Sequence, residues 1–216
     1  MPDTHYLATG PRVAIRHIGP EDMEEFTAAV RASTALLHPY AFLPSNAEEF
    51  EMWSAKFQVP SGEGYVVCDR ESGRIEAGIA INNIVYGAFQ CGAVGYGAFA
   101  HSAGRGLMTE GLGLVIRHAF DALGLHRLEA NIQPGNVASL KLVKRLGFRH
   151  EGFSPDFLYI GGEWRDHERW AVTSEMFRDR PAAPTESGEG VPTHRSTTKG
   201  CSTEDTSLGD LDRPAS

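Results

Sequence analysis

The stretch AGRGLMTEGL, which begins at Ala103, places two glycines and an arginine directly before an apolar helical run. Glycine lets the backbone approach a bound group closely, and the first turn of a helix offers unpaired N–H groups and the positive end of the helix dipole. The stretch therefore predicts an anion-binding helix N-terminus that suits a phosphate. An ordinary glycine turn before a helix fits the same residues when the loop is considered alone.

Two common phosphate-binding motifs do not match this loop. A P-loop ends in Gly-Lys-Ser or Gly-Lys-Thr, and neither follows at the required spacing. A dinucleotide-binding fingerprint needs a third small residue where Thr109 stands, and an acidic residue at the end of the next strand. Glu129 lies near that distance, but the pattern around it predicts the middle of a strand. The context of the loop in the chain must therefore decide what it binds.

Hydrophobic periodicity around the loop predicts an α/β domain with a mixed sheet. Ser45 and Glu48 have the spacing of a capping box before the second helix. Predicted strands cover residues 12–18, 64–68, 75–86, 94–100, 126–132, 148–160 and 163–177, and predicted helices follow Pro20 and cover 47–57, 106–123 and 136–146. The loop thus connects a strand to the helix after it.

Length and composition bound the organisation of the chain. Its 216 residues, of which 41% are hydrophobic, suffice for one globular domain, which we expect over residues 1–180. The remainder, residues 181–216, is rich in Pro, Ser, Thr, Gly and Glu and nearly devoid of large apolar residues, so we expect it to be disordered.

Charge and cysteine content exclude several classes of protein. The net charge of -8 does not suit a nucleic-acid binder, and the tail, with six acidic and three basic residues, accounts for -3 of it and leaves -5 to the body. Three cysteines without a CxxC motif indicate neither a disulfide framework nor a zinc site, and His17, His118, His126 and His150 show no metal-ligand spacing. No apolar stretch is long enough to span a membrane, and the N-terminus lacks a signal peptide, so we expect a cytoplasmic protein without a metal.

The segment from Asn82 to Phe177 resembles the GNAT acyl-CoA N-acetyltransferases, and among them the RimJ and RimL type, which acetylate protein N-termini. The likeness is carried by NNIVYGAF, GYGAFAHSAGRGLMTEGL, GLHRLEANIQPGNVASLKLVKRLGFRHEG and YIGGEWRDHERWAVT, in that order over about half of the chain. It implies the GNAT fold, a mixed and mostly antiparallel twisted sheet of six to seven strands flanked by about four helices. In that family the glycine loop lies over the diphosphate of acetyl-CoA.

The resemblance also implies the residues that hold acetyl-CoA. The strand before the loop would splay from its neighbour near Phe99 to His101, so that free backbone groups bind the pantetheine, and the next strand would form the other wall. The implied cofactor-binding residues are Phe99, Ala100, Gly104, Arg105, Gly106, Leu107, Met108, Thr109, Asn131, Asn136 and Ser139.

Several of these assignments leave two readings open. The Asn136 side chain either caps the next helix or contacts the pantetheine. Lys141, Lys144 and Arg145 either form a solvated helix face or meet the charge of the 3′-phosphate. The chain departs from the family at Ala103, where an Arg or Gln is usual, and at Met108, where the wider superfamily has a small residue. Neither change removes a backbone donor.

The candidate catalytic residues are Ser139, which the resemblance implies, and His101, which is adjacent to the position of a family base. Ser139 matches the residue proposed in the family to protonate the leaving thiolate, while Val143 stands where many GNAT enzymes have a tyrosine. The alternative is a serine that bonds only its own helix backbone. A glutamate base of some relatives is Ala100 here, so His101, or Tyr96 with a water chain, is the candidate base, and a merely structural His101 is the alternative.

The resemblance implies transfer from acetyl-CoA to a protein N-terminus, with a ribosomal protein as one candidate acceptor. The acidic body would attract a cationic peptide in a generic way. Two other functions fit the same fold, namely a small-molecule amine acetyltransferase and a non-catalytic domain that binds acyl-CoA. We expect a monomer or a homodimer, and no direct contact with nucleic acid or membrane.

Overall fold

The computed structural model describes residues 5–179, so the tail predicted to be disordered lies outside the described residues. In the described part, eight strands form one sheet in the order β1-β2-β3-β4-β5-β6-β8-β7. The strands are β1 (Ala8–Thr9), β2 (Val13–His17), β3 (Glu63–Asp69), β4 (Ile75–Val85), β5 (Cys91–Ala98), β6 (Arg127–Ile132), β7 (Arg149–Ile160) and β8 (Glu163–Thr173). All neighbours are antiparallel except β5 and β6, which are parallel.

Six α-helices accompany the sheet in the described residues. They are α1 (Met23–Ala32), α2 (Thr34–Leu37), α3 (Ala47–Ser54), α4 (Leu107–Asp121), α5 (Val137–Arg145) and α6 (Ser174–Arg178), with short 3₁₀ turns at Pro20–Asp22 and Ala55–Phe57. No described helix combines the length and the apolarity needed to cross a membrane. The predicted fold class, an α/β domain with a mixed and mostly antiparallel sheet, is confirmed.

The structure has one strand and two helices more than the sequence predicted. The additional strand β1 has only two residues, too few for an alternating pattern, and α2 is a single turn of four. The last strand was predicted to reach Phe177 but ends at Thr173, whose side chain accepts a hydrogen bond from the N–H of Met176 and caps α6. A short apolar segment fits a strand and a helical turn equally well, so its pattern alone could not separate them.

The predicted cap of α3 was displaced by one residue. Asn46, not Ser45, is the N-cap, and its Oδ1 accepts a hydrogen bond from the N–H of Glu49 at 3.0 Å. The Glu49 carboxylate returns to accept bonds from the N–H and Oγ of Ser45, at 2.7 and 2.9 Å. Asparagine and serine are comparable N-caps, and a glutamate also follows each of them at the required distance, so the spacing did not distinguish the two starts.

The two faces of the sheet bury two hydrophobic clusters, because successive strand residues point to opposite faces. On β3, Tyr65 and Val67 belong to the cluster that includes Leu112 and Ile116 of α4. Val66 and Cys68 belong to a second cluster with the aromatic residues Phe26 of α1, Phe50 of α3 and Phe99. The sheet is therefore covered on one face by α4 and on the other by α1 and α3.

Helix α4 approaches the sheet closely at Gly111. A Cβ on Gly111 would lie 2.7 Å from both γ carbons of Val67, which is fully buried and has a stiff branched side chain. The nearest neighbour of a Cβ on Gly113, two residues further, is Leu146 Cδ2 at 3.7 Å, an ordinary contact. An added Cβ would therefore clash with the sheet at Gly111 but make only an ordinary contact at Gly113.

We expect Gly111→Ala to lower the free energy of unfolding by about 1–2 kcal/mol, since overpacking exceeds the gain in helix propensity. Gly113→Ala is the matched control and should raise it by about 0.5–1 kcal/mol, because only the propensity changes. Urea denaturation of both variants measures the difference. Equal shifts for the two variants would contradict the close packing of α4 on β3.

Candidate functional site

The sheet opens in its middle, where the parallel strands β5 and β6 separate. Only three residue pairs join them, Cys91 with Arg127, Gly92 with Leu128 and Ala93 with Glu129. Beyond that point β5 stays paired with β4 as far as Ala98, and β6 stays paired with β8 as far as Ile132. Residues 94–98 of β5 therefore have no ladder partner on the β6 side, and a ligand or water must satisfy backbone groups there.

The loop at the end of this opening is a glycine turn with a left-handed backbone at two positions. Gly104 and Gly106 both have φ of 76°, in the left-handed region that side chains disfavour, and Gly106 directly precedes α4. Arg12 anchors the loop, because its Nη1 donates to the carbonyl of Arg105 at 2.9 Å and its Nε to Glu110 at 3.0 Å. The first N–H groups of α4 thus sit behind a firmly held turn.

A cavity of about 360 Å³, which we call the loop cavity, connects this turn to the start of α5. Six of the residues predicted to bind the cofactor line it, namely Gly104, Gly106, Met108, Thr109, Asn136 and Ser139. Two cations of α5, Lys141 and Arg145, line it as well. Arg145 also donates to the hydroxyl of Thr109 at 3.3 Å, which brings the second cation to the loop itself.

Five predicted cofactor residues do not line the loop cavity. Phe99 and Leu107 are buried in the core, with 0% and 2% of their surface exposed, and Arg105 and Asn131 lie outside its lining. The N–H of Phe99 donates to the carbonyl of Glu76 at 3.1 Å, and that of Ala100 donates to Ser33 Oγ at 2.8 Å.

The cavity is lined instead by Tyr96, Gly97 and Ala98, which precede the predicted residues along the strand. Strand β5 ends at Ala98 because the next residues turn, with the N–H groups of Ser102 and Ala103 both donating to the carbonyl of Phe99. The splay was predicted near Phe99 to His101 and begins after Ala93. The alternating pattern continues through Ala100, so the sequence did not reveal that β5 ends at Ala98.

Ser139 meets Tyr96 at the inner end of the loop cavity. Their hydroxyl oxygens are 2.5 Å apart, and Ser139 is 8% exposed. Burial raises the pKa of Tyr96 to about 12, so the phenol keeps its proton at neutral pH, and either hydroxyl can be the donor in this contact. The sequence had named Tyr96 only among candidate bases, and the contact joins residues on two different elements.

Asn136 is the N-cap of α5. Its Oδ1 accepts a hydrogen bond from the N–H of Ser139 at 3.1 Å, so the capping role left open by the sequence is the one that the structure shows. The cap holds Ser139 in the first turn of α5, where its hydroxyl reaches Tyr96. The asparagine therefore positions the serine and at the same time lines the cavity.

The structure does not bring His101 to Ser139. Its Nε2 lies 3.0 Å from the carbonyl oxygen of Ile75 and 3.5 Å from Glu76 Oε2, and the residue lines neither the loop cavity nor its neighbours. This placement favours the structural alternative for His101. Within residues 5–179, no three His, Cys, Asp or Glu side chains form a group that could hold a metal ion.

Two further cavities adjoin the site. The central cavity, of about 640 Å³, shares Tyr40, Ala41, Tyr96, Asn136 and Ser139 with the loop cavity. Asn131 lines this cavity, and its buried Oδ1 has no hydrogen-bond partner. The outer cavity, of about 610 Å³, lies among residues of α1, α2 and α3. Ser139 and Tyr96 therefore line both the loop cavity and the central cavity, at the place where the two cavities meet.

A family model described as an acetyltransferase (GNAT) domain matches residues 12–149. The [ribosomal protein uS5]-alanine N-acetyltransferase of Escherichia coli (strain K12) is 41% identical over 93 residues, 43% of this chain and 48% of that protein. The protein named "Probable N-acetyltransferase YjcK" of Bacillus subtilis (strain 168) is 35% identical over 99 residues, 46% of this chain and 55% of its own length. The chain spans about half the length of these curated relatives.

Solved structures share the fold. The ribosomal-protein-S5-alanine acetyltransferase from Vibrio fischeri has a TM-score of 0.70 and 24% identity, covering 78% of this chain and 96% of that one. RimJ of Mycobacterium smegmatis, solved in complex with CoA-disulfide, has a TM-score of 0.71 and 24% identity, covering 77% and 87%. The spermidine N-acetyltransferase from Vibrio cholerae, in complex with CoA and spermine, reaches 0.67 at 16% identity, covering 79% and 100%. At these identities the likeness establishes the fold alone.

Proposed function

The chain belongs to the GNAT acetyltransferase family, and we propose that it transfers the acetyl group of acetyl-CoA to the N-terminal α-amine of a protein. The observation that carries the proposal is the opening between β5 and β6, which leads from the turn at Gly104 and Gly106 to the paired hydroxyls of Tyr96 and Ser139. A thioester laid along this opening would present its carbonyl beside those hydroxyls.

Acetyl-CoA fits the loop cavity through its charge and its shape. The N–H groups at the start of α4 would bind the diphosphate, since a helix N-terminus favours anions. Lys141 and Arg145 line the same cavity and would meet the remaining phosphate charge. The pantetheine would take the place of a strand partner for residues 94–98 of β5, and a backbone N–H there would polarise the thioester carbonyl.

The proposed reaction is direct attack of the amine in a ternary complex. The neutral amine nitrogen bonds to the thioester carbonyl carbon, the carbonyl oxygen takes up the negative charge, and the C–S bond breaks as the carbonyl re-forms. Ser139 Oγ–H would donate its proton to the leaving thiolate while the Tyr96 phenol donates to Ser139, and the proton that the nitrogen loses would return to Tyr96 through water, which restores both hydroxyls. A thiol with a pKa of about 8.5 is a good leaving group, so this help is modest.

Gly106→Asp should abolish acetyl-CoA binding, because a carboxylate beside the loop would repel the diphosphate and, from a Cβ that lies 3.4 Å from Arg12 Nη2, would compete for the guanidinium that holds the loop. Gly73→Asp is the matched control, since Gly73 has nearly the same φ, 75° against 76°, in the turn between β3 and β4. Both variants carry the same backbone strain, but only one faces the loop cavity. Calorimetric titration with acetyl-CoA measures the effect, and unchanged affinity in a folded Gly106→Asp protein would refute the assignment.

Ser139→Ala is expected to lower kcat about 10- to 100-fold and to leave the KM for acetyl-CoA unchanged, within the range of positioned proton transfer. Tyr96→Phe should have a similar effect, and the double variant should be little worse than either, because the two hydroxyls act as one unit. Ser54→Ala, at a helix end outside the three cavities, is the control. An unaltered kcat would return Ser139 to a structural role.

An α-amine is the acceptor that the central cavity favours. No carboxylate is among the described residues that line this cavity, so an amine held there meets no carboxylate base. An α-amino group with a pKa of about 7.7–8.0 is roughly one-tenth neutral at pH 7, whereas a lysine of about 10.4 is neutral only to a few parts in ten thousand. The α-amino group can therefore react through the fraction that is already neutral. Side-chain amides of Asn82, Asn83, Asn131 and Gln133 also line the cavity and would suit a peptide backbone.

We therefore expect transfer to peptides with a free N-terminus and a small first residue such as Ala or Ser, and the Escherichia coli relative is named for an alanine of ribosomal protein uS5. The rate should rise from pH 7 to 8, because the amine loses its proton over that range. Mass spectrometry compares one peptide with a free terminus and the same peptide with a blocked terminus and a lysine. Faster acetylation of the blocked peptide would sink the proposal, and transfer only to small amines, or to nothing, would favour the two other functions.

A further inference from the structure

The acceptor side of the site continues beyond the central cavity. The central and outer cavities share five lining residues, Ala41, Phe42, Leu43, Trp53 and Lys56. The first three follow α2, and the last two belong to α3 and the turn after it. An acceptor chain whose first amine lies beside Ser139 could therefore extend past Phe42 and Trp53 toward the outer cavity. This step rests on the proposed function, because it takes a polypeptide as the acceptor.

Among the five residues that the two cavities share, Lys56 carries the charge. Among the described residues that line the central cavity, Lys56 and His167 are the only ionisable groups besides tyrosine, and burial lowers the pKa of His167, which favours its neutral form. The described part of the chain offers Lys56 no hydrogen bond or ion pair. Glu49 lines the outer cavity, but its carboxylate accepts two bonds from Ser45 at the start of α3.

We propose that Lys56 selects acceptors that carry a carboxylate side chain within the first few residues after the acetylated amine. A cation with no internal partner, at the junction of two acceptor-side cavities, would attract an acidic side chain and repel a basic one. A polyamine would find no carboxylate in the central cavity for its further positive charges. The substrate class is thus an N-terminal peptide with an early Asp or Glu.

The preference for acidic or for basic peptides distinguishes an effect of Lys56 from an effect of the protein's overall charge. The body of the protein is negative, at -5, and by itself would draw basic peptides. A local cation at Lys56 predicts the opposite preference, for acidic peptides over basic ones. For three peptides that differ only in Glu, Gln or Lys at one position among the second to fifth, we expect kcat/KM to fall in that order, with Glu about three- to tenfold above Lys at low salt. The difference should shrink in 1 M salt, where the Debye length is about 3 Å.

Charge reversal at Lys56 is the decisive variant. Lys56 is exposed, so Lys56→Glu should fold, and it should invert the order of the three peptides while leaving the KM for acetyl-CoA unchanged. Lys56→Met should abolish the difference among them. Arg117→Glu makes the same charge change at an exposed position of α4 that lines none of the three cavities, and it should keep the wild-type order.

Two results would overturn the inference, and they can be told apart. Acetylation of all three peptides at equal rates, or the same order in Lys56→Glu as in the wild type, would overturn the role of Lys56 and leave the proposed function standing. Acetylation of small amines without transfer to any peptide would overturn the proposed function and the role of Lys56 together.

Discussion

The short parallel ladder between β5 and β6 is the constraint on which the site depends. Three residue pairs, ending at Ala93 and Glu129, join β1–β5 to the other three strands. Opposite this end, β4 is bulged between Asn82 and Val85, and Asn83 has a positive φ of 53°. A bulge increases local twist, which helps β5 turn away from β6. Backbone groups that are exposed where β5 and β6 separate cannot stay unpaired without a cost in free energy. The opening between the two strands, which we call the groove, is therefore a place where a ligand can pair with them.

The groove is useful only if its walls are held in place, and the core supplies that rigidity. Helix α4 presses Gly111 against Val67 of β3, while Arg12 ties the start of α4 to β2 through Glu110 and the carbonyl of Arg105. The N–H groups at the start of α4 are therefore fixed to the sheet, and less ordering entropy would oppose the proposed binding of a diphosphate there. On the opposite wall, the Asn136 cap fixes the first turn of α5 and with it the hydroxyl of Ser139.

The sequence predicted the features that depend on local pattern. The glycine turn before α4 follows from residue type and spacing, whereas Ser139, which lines the loop cavity, was implied only by the family resemblance. The sequence could not predict the contact between Tyr96 and Ser139, which are 43 positions apart and meet only when β5 separates from β6. The end of β5 was missed for a related reason, because alternation through Ala100 is compatible with a strand, whereas the turn is stabilised by the distant partners Glu76 and Ser33.

The charge of the acceptor side links recognition to reactivity. A cation near a bound amine disfavours its protonated form and lowers its pKa, so Lys56 would increase the neutral fraction of any amine held within its reach. An α-amine needs a shift of only about one unit to be mostly neutral at pH 7, while a lysine needs more than three. An exposed cation acting through water produces the smaller shift far more readily than the larger. A central cavity with a lysine and without a carboxylate would therefore favour the α-amine through its lower intrinsic pKa, because a shift caused by Lys56 lowers both pKa values and leaves the gap of about 2.5 units between them.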